Sequence, residues 1–162
     1  MSLVEPHPLW KTCQGNPFEV SKAIVEARML SGRYRCEKLM KHFKKNCDGL
    51  CGICEEKSEG SVEHLLVQCP TLEDCRQKQL LFLERTDISD TCKAIIHHYL
   101  KKPASELVQF LLDCSVIPSI IEVSQDSETI LSELFQFTRT WCFNMHMSRL
   151  KLLGLWKKSF YT

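Results

Sequence analysis

The sequence predicts an all-α fold, a small helical domain with an irregular zinc-knuckle insert. Apolar residues recur at spacings of three and four along most of the chain, and no stretch shows the period-two alternation of a half-buried strand. Apolar residues make up 44% and charged residues 25% of the sequence, as in ordinary globular proteins. This composition excludes a disordered tail or a collagen-like fibre, and 162 residues suit a single domain.

The first half of the chain carries clear helix signals. Residues 1–15 are expected to form an extended lead-in because Pro and Gly interrupt them without an apolar period. Asn16 followed by Pro17 is typical of a helix start, and Gly32 of its end. Between them Val20, Ala23, Ile24 and Ala27 recur at spacings of three and four and predict the buried stripe of that helix. A second amphipathic helix is expected over residues 33–45, with Cys36, Leu39, Met40 and Phe43 on its core face.

Further helices are predicted after the cysteine-rich stretch that ends at Gly60. They are a short one over residues 61–68 and four that begin near Thr71, Ser89, Pro103 and Ser127, the last being the longest. Residues 114–125 are β-branched and broken by a proline, so they favour no element. We therefore divide one domain into a basic helix and zinc-knuckle region (16–102) and an acidic helical lobe packed on it (103–162).

Ten cysteines are too many for an ordinary chain of this length. The opening MSLVEPHPLW lacks the apolar core of a signal peptide, and no apolar run is long enough to span a bilayer. We therefore expect a protein of the nucleus or cytoplasm with no membrane partner. In such a reducing compartment, clustered cysteines bind metal more often than they form disulfides.

The cysteine-rich stretch contains a metal-ligand pattern. Cys51, Cys54, His64 and Cys69 have the spacing C-x2-C-x9-H-x4-C. Three thiolates and one imidazole complete a tetrahedron, so we expect one structural Zn2+ ion. Cys47 and Cys75 flank the pattern and remain alternative ligands. The other interpretations are a chance cluster of buried cysteines and, less favoured, a redox pair formed by Cys51 and Cys54.

The geometry of the last two ligands poses a problem. Residues five apart lie about 140° around an α-helix, so His64 and Cys69 do not share a helical face. Pro70 disfavours the α conformation at Cys69, and we expect this to turn the thiolate back towards the other ligands.

The segment from Arg28 to Lys45 is strongly basic, with Glu37 as its single acid. Its cations are Arg28, Arg33, Arg35, Lys38, Lys41, Lys44 and Lys45. On a helix they would face outward and suit a phosphate backbone, with Tyr34 and His42 among them to stack on bases. The alternative is a solvated surface helix without a ligand.

Nothing in the sequence predicts catalysis. Walker, G-x-G-x-x-G, H-E-x-x-H and G-x-S-x-G patterns are absent. Cys142 and His146 could form half of a second metal site, but no matching pair exists and packing is the favoured interpretation. We therefore expect a protein that is not an enzyme.

Several strings resemble the C-terminal region of non-LTR (LINE-type) retrotransposon reverse transcriptases. They are NPFEV at 16–20, ARMLSGRYR at 27–35, VEHLL at 62–66, Cys69-Pro70, TRTWC at 138–142 and RLKLLG at 149–154. The resemblance implies a zinc knuckle that handles nucleic acid beside a polymerase, with Cys51, Cys54, His64 and Cys69 as ligands. It makes Arg28, Arg33 and Arg35 the best contact candidates. The polymerase palm and endonuclease are absent, so this chain is similar to a detached or domesticated piece.

Together these patterns predict a non-catalytic zinc-binding module that binds RNA or DNA through the basic helix and the knuckle. The alternative is a zinc-stabilised helical adaptor for protein–protein interaction, also derived from a mobile element. A large exposed apolar patch between helices would favour that alternative.

Overall fold

The structure is a computed structural model that describes residues 4–116 and 127–155. These residues form the α-helices α1 (Pro8–Lys11), α2 (Pro17–Leu30), α3 (Glu37–Met40), α4 (Glu73–Arg85), α5 (Asp90–Leu100), α6 (Ala104–Leu112) and α7 (Ser127–Leu152). A π-helical turn spans His64–Gln68, and 3-10 turns span Pro70–Leu72 and Cys114–Val116. The described residues contain no strand, only an isolated antiparallel bridge between Leu50 and Glu59, so the predicted all-α class is confirmed.

Local capping signals placed the ends of several helices correctly. The Asn16 side chain accepts a hydrogen bond from the Phe18 amide at 2.9 Å at the start of α2. That helix ends before Gly32, whose φ of +74° a side chain would strain. Ser89 caps α5, and Pro103 immediately precedes α6. The predicted extended lead-in over residues 1–15 is wrong where α1 forms, because the His7 side chain caps that helix and Leu9 packs into the core.

The core forms around α7, which packs against α2, α4, α5 and α6. Trp141, Phe135 and Leu134 of α7 are buried together with Phe110 of α6. We call α2 and α4–α7 the helical body. Apolar burial of this kind supplies most of the stability of a small domain, because each fully buried large side chain contributes about 1.5–3 kcal/mol.

The buried face of α2 differs from the predicted stripe. Ala23 is buried as expected, but Ile24 is exposed and Glu26 lies in the core instead. An apolar period cannot reveal this rotation, because the residue that replaces the expected isoleucine inside is an acid.

The predicted helix over residues 33–45 is wrong. Only α3, a single turn, forms there. The amides of Arg33 and Tyr34 both donate to the Arg28 carbonyl, which ends α2 and turns the chain, and Tyr34 is buried. The Lys38 amide donates to the distant Gly60 carbonyl at 3.1 Å. Tertiary contacts therefore determine the backbone here, and the helical pattern does not.

Most of the ambiguous stretch 114–125 lies outside the described residues, and its first residues form the Cys114–Val116 turn. Among the helices that the structure describes, none combines the length and apolarity that a bilayer crossing requires.

Candidate metal centre

The four predicted ligand side chains converge on one point. The potential ligand atoms of Cys51, Cys54, His64 and Cys69 all lie within 4.8 Å of one another, a grouping that could hold a metal ion. Cys54 Sγ lies 3.3 Å from His64 Nε2, and Cys51 Sγ lies 3.9 Å from Cys69 Sγ. All ten cysteines of the chain are free thiols, so no disulfide competes for these side chains.

A tight hairpin-like turn presents the first two cysteines. The Cys51 amide donates to the Ser58 carbonyl, and the Gly60 amide donates to the Gly49 carbonyl, each at 2.8 Å. These bonds flank the Leu50–Glu59 bridge and close the loop that carries Cys51 and Cys54. The turn therefore holds both thiols on the same side without any regular strand.

The π-helical turn brings the other two predicted ligands, His64 and Cys69, to the same side of the backbone. The Cys69 amide donates to the His64 carbonyl at 2.7 Å, an i→i+5 bond that brings residue 69 back over residue 64. Cys69 has a ψ of 117°, the extended value that Pro70 favours. The predicted effect of Pro70 is present, but the widened turn before it was not foreseen. The buried Leu66 carbonyl of this turn accepts a bond from Trp141 Nε1 at 3.2 Å.

Glu37 connects the turn that carries Cys51 and Cys54, the cysteine turn, to the rest of the chain. Its carboxylate accepts a bond from the Gly52 amide at 3.3 Å and pairs with Arg149 of α7 at 3.1 Å. A Cβ at position 60 would lie 2.6 Å from the Glu37 Cβ, so only glycine fits that position. The carboxylate thus connects the turn to the helical body.

Three further contacts hold the second half of the site. Arg76 donates to the Cys69 carbonyl, and Ser61 Oγ accepts a bond from the His64 amide at 3.1 Å. Thr71 Oγ1 donates to the Ile53 carbonyl at 3.0 Å. The helix predicted to begin near Thr71 begins at Glu73, but Thr71 does not cap it, because its hydroxyl binds the cysteine turn.

Burial disfavours the charged forms of three side chains in the cluster. Burial lowers the pKa of His64, which favours the neutral imidazole that ligates metals. Burial, with the neighbouring Cys51 thiol, raises the pKa of Cys69 to about 12, and burial also raises the pKa of Cys51. A bound cation reverses this preference, because coordinated thiols give up their protons.

The alternative ligands are not part of the cluster. Cys47 Sγ lies 3.6 Å from the Glu37 carbonyl, and Cys75 Sγ contacts the Asn144 carbonyl and Ser148. Cys142 is fully buried with its Sγ 3.6 Å from the Leu111 carbonyl. His146 Nδ1 instead lies 2.7 Å from the Tyr34 hydroxyl, and burial lowers its pKa to about 4.

The seven predicted nucleic-acid contacts lie along the surface beside the cysteine turn. Arg28, Arg33, Arg35, Lys38, Lys41, Lys44 and Lys45 are all exposed. Lys38 pairs with Glu59 at 2.7 Å, and the Lys41 stem lies over Gly49. Tyr34 is not among these exposed groups, contrary to the stacking prediction, because it is buried against His146 and Arg149.

Sequence reasoning missed the residues that support the site, chiefly Glu37, Arg149 and Arg76. Only Glu37 carried a signal, as the one acid in a basic segment. Comparison with protein-family models, curated proteins and solved structures finds no match for this chain.

Proposed function

We propose that this chain is a non-catalytic zinc-binding module that binds RNA or DNA through the basic segment 28–45 and the adjoining knuckle. The observation that carries the proposal is the attachment of that segment to the metal cluster. Its Lys38 amide bonds Gly60, and Glu37 bonds the Gly52 amide inside the Cys51–Cys54 turn. A metal that orders the turn therefore also fixes the cations.

The donor set favours zinc. Three thiolates with one imidazole are soft ligands in a tetrahedral arrangement, which suits Zn2+ and excludes hard cations such as Mg2+. Four protein ligands leave no position for substrate or water, so the ion would be structural. This is the basis for proposing a module without catalytic activity.

The cations are available to an external anion. Within the described residues, Arg28, Arg33, Arg35, Lys41, Lys44 and Lys45 form no ion pair with a carboxylate, and only Lys38 does. A cluster of exposed, uncompensated charges attracts a phosphate backbone and releases its counterions. Such contacts give affinity with little base specificity.

We further propose that the chain is related to the C-terminal region of non-LTR retrotransposon reverse transcriptases. The support is the set of sequence strings around the metal cluster and at residues 138–154. In that interpretation the knuckle has the role in holding nucleic acid that the resemblance implies.

A salt-series titration tests nucleic-acid binding. The zinc-loaded chain is titrated against fluorescent single-stranded RNA, single-stranded DNA and duplex DNA, with metal content measured on the same sample. The triple variant Arg33→Gln/Arg35→Gln/Lys44→Gln should bind more weakly. Its log affinity should also depend less on log salt, the slope falling by about 0.7–0.9 for each phosphate that the variant no longer neutralises.

The matched control removes three exposed cations elsewhere, Lys11→Gln/Arg85→Gln/Lys101→Gln. It changes the net charge equally and should leave affinity and slope near those of the parent. Equal losses of affinity in both triples would show only a general charge effect and contradict the proposed surface. The absence of binding at low salt with zinc fully bound would favour the adaptor.

A further inference from the structure

A groove that does not include the metal cluster runs between α4 and α7. It encloses about 640 Å³ and extends along most of both helices. Cys75 near the start of α4 contacts Asn144 and Ser148, whereas Ser89 beyond its end bonds Glu133. The two helices are therefore antiparallel walls of one groove.

The groove has an apolar floor and an exposed aromatic rim. Leu83 and Phe137 are buried at the floor, while Phe82 on the rim is 64% exposed. Leu81 beside it is 59% exposed. An exposed aromatic side chain on the rim of an apolar cleft, with a second exposed apolar residue next to it in sequence, is typical of an interaction surface.

Charges of opposite sign mark the two ends of the groove. Lys78 and Lys151 line the end near Cys75, and Asp87 and Glu133 line the other. Glu133 accepts bonds from the Ser89 amide and hydroxyl at 3.1 and 2.8 Å. Within the described residues, Lys78, Lys151 and Asp87 form no ion pair, so they are available to a partner.

We propose that this groove binds one amphipathic helix of a partner protein. Its apolar face would pack on Phe82 and the floor, its acidic end would lie at Lys78 and Lys151, and its basic end would lie at Asp87 and Glu133. At 1.5 Å per residue, Glu133 and Lys151 are about 27 Å apart along α7, which suits a bound helix of about five turns. Helices commonly bind grooves of this type through an i, i+3, i+4, i+7 apolar face.

The probe is a fluorescein-labelled 18-residue helical peptide. It has leucines along one face, glutamates in its first turn and lysines in its last. Anisotropy with the zinc-loaded full chain should give saturable binding that Phe82→Ser weakens about tenfold or more. The control Phe18→Ser, at a residue 75% exposed on α2, should leave affinity unchanged. Equal affinities for Phe82→Ser and the parent would overturn the proposal.

Charge reversal tests the orientation. Lys78→Glu/Lys151→Glu makes both ends acidic, so it should bind the first peptide more weakly and a peptide with lysines at both ends more tightly than the parent does. If both peptides respond alike, the charged ends do not determine the partner. Nucleic-acid affinity of Phe82→Ser should equal that of the parent, which separates this test from that of the proposed function.

Measurements on the same zinc-loaded chain test two other possible occupants of the groove. A concentration-dependent dimer in sedimentation that Phe82→Ser abolishes would assign the groove to a second copy. Nuclear Overhauser contacts between the Phe82 ring and residues 156–162 in the peptide-free chain would assign it to this chain's own C-terminal segment. Either result would overturn the proposed partner helix.

Discussion

Residues 37–63, which we call the knuckle segment, and helix α7 are two stretches of similar length held in different ways. The knuckle segment buries no apolar side chain, and only Gly49 and Gly60 within it are inaccessible. By contrast, α7 buries Phe135, Trp141 and Met145 along with several other core residues. The helical body therefore depends on apolar burial, whereas the knuckle segment is held by directional bonds beside a group of side chains that could hold a metal ion.

This difference predicts that the two regions can be unfolded separately. His64→Ala removes one of four ligands, and structural zinc binding contributes about 10–16 kcal/mol to the folding of isolated knuckle-sized peptides. We expect the knuckle segment to lose its order while the helical body persists. Hydrogen exchange should show fast exchange at the Cys51 and Gly60 amides and continued protection in α7.

The control for that experiment is Cys47→Ser, a thiol close to the cluster but outside it. It should retain one metal ion per chain and the parent exchange pattern. Loss of protection in α7 together with Cys51 in His64→Ala would show that the two regions form one cooperative unit.

The second prediction concerns a weakness inside the helical body. Glu26 is fully buried, and neither of its carboxylate oxygens has a hydrogen-bond partner among the described residues. Burial raises its pKa well above the ordinary value of 4.5. Thr138 and Arg139 lower the pKa by less, and the charge of Asp113 raises it further. The folded protein therefore holds this proton more tightly than the unfolded chain does.

The tighter proton binding by Glu26 contributes to the free energy of unfolding. This contribution is fully present below pH 4.5 and is lost as the pH rises towards the folded-state pKa. The loss amounts to about 1.4 kcal/mol per pH unit. Glu26→Leu removes it, so the stability of this variant relative to the parent should increase with pH. Urea unfolding from about pH 5 to pH 8 measures this difference. The exposed-site control Glu128→Leu should follow the parent, and a constant difference for Glu26→Leu would contradict the prediction.

The third and smallest effect is expected at the link between the two regions. Glu37 and Arg149 are mostly buried, with side chains 15% and 11% exposed, and they are 3.1 Å apart. Because the pair joins the knuckle segment to α7, truncating either residue should weaken the same interaction. A double-mutant cycle of Glu37→Ala and Arg149→Ala should give a coupling free energy of about 1–3 kcal/mol by urea unfolding. Additive effects on stability would show that the pair does not couple the regions.

The same comparison explains which features the sequence could predict. The existence of helices α2, α5, α6 and α7 follows from start signals and from apolar periodicity, although the periodicity did not identify the buried face of α2. The prediction of a helix over residues 33–45 was wrong, although the apolar residues there have helical spacing. Burial of Tyr34 against α7 and the bond from Lys38 to Gly60 are long-range contacts, and no local pattern contains them.

The metal cluster was predictable as a set but not as a geometry. The spacing of Cys51, Cys54, His64 and Cys69 identified all four members that converge. The i→i+5 turn that joins the last two was not predictable, because its Leu66 carbonyl depends on Trp141, which lies 75 positions away.

The short sequence separation of the cluster residues affects the order in which parts of the chain can fold during protein synthesis. Cys51 and Cys69 are 18 positions apart, whereas Arg139 reaches Glu19 across 120 positions. Short loops close at low entropic cost, and a growing chain emerges from its N-terminal end. The four ligands therefore leave the ribosome well before α7 does. If the cluster binds a metal ion, the nascent chain can bind it first, while Leu65 and Leu66 remain uncovered until α7 arrives to complete the core.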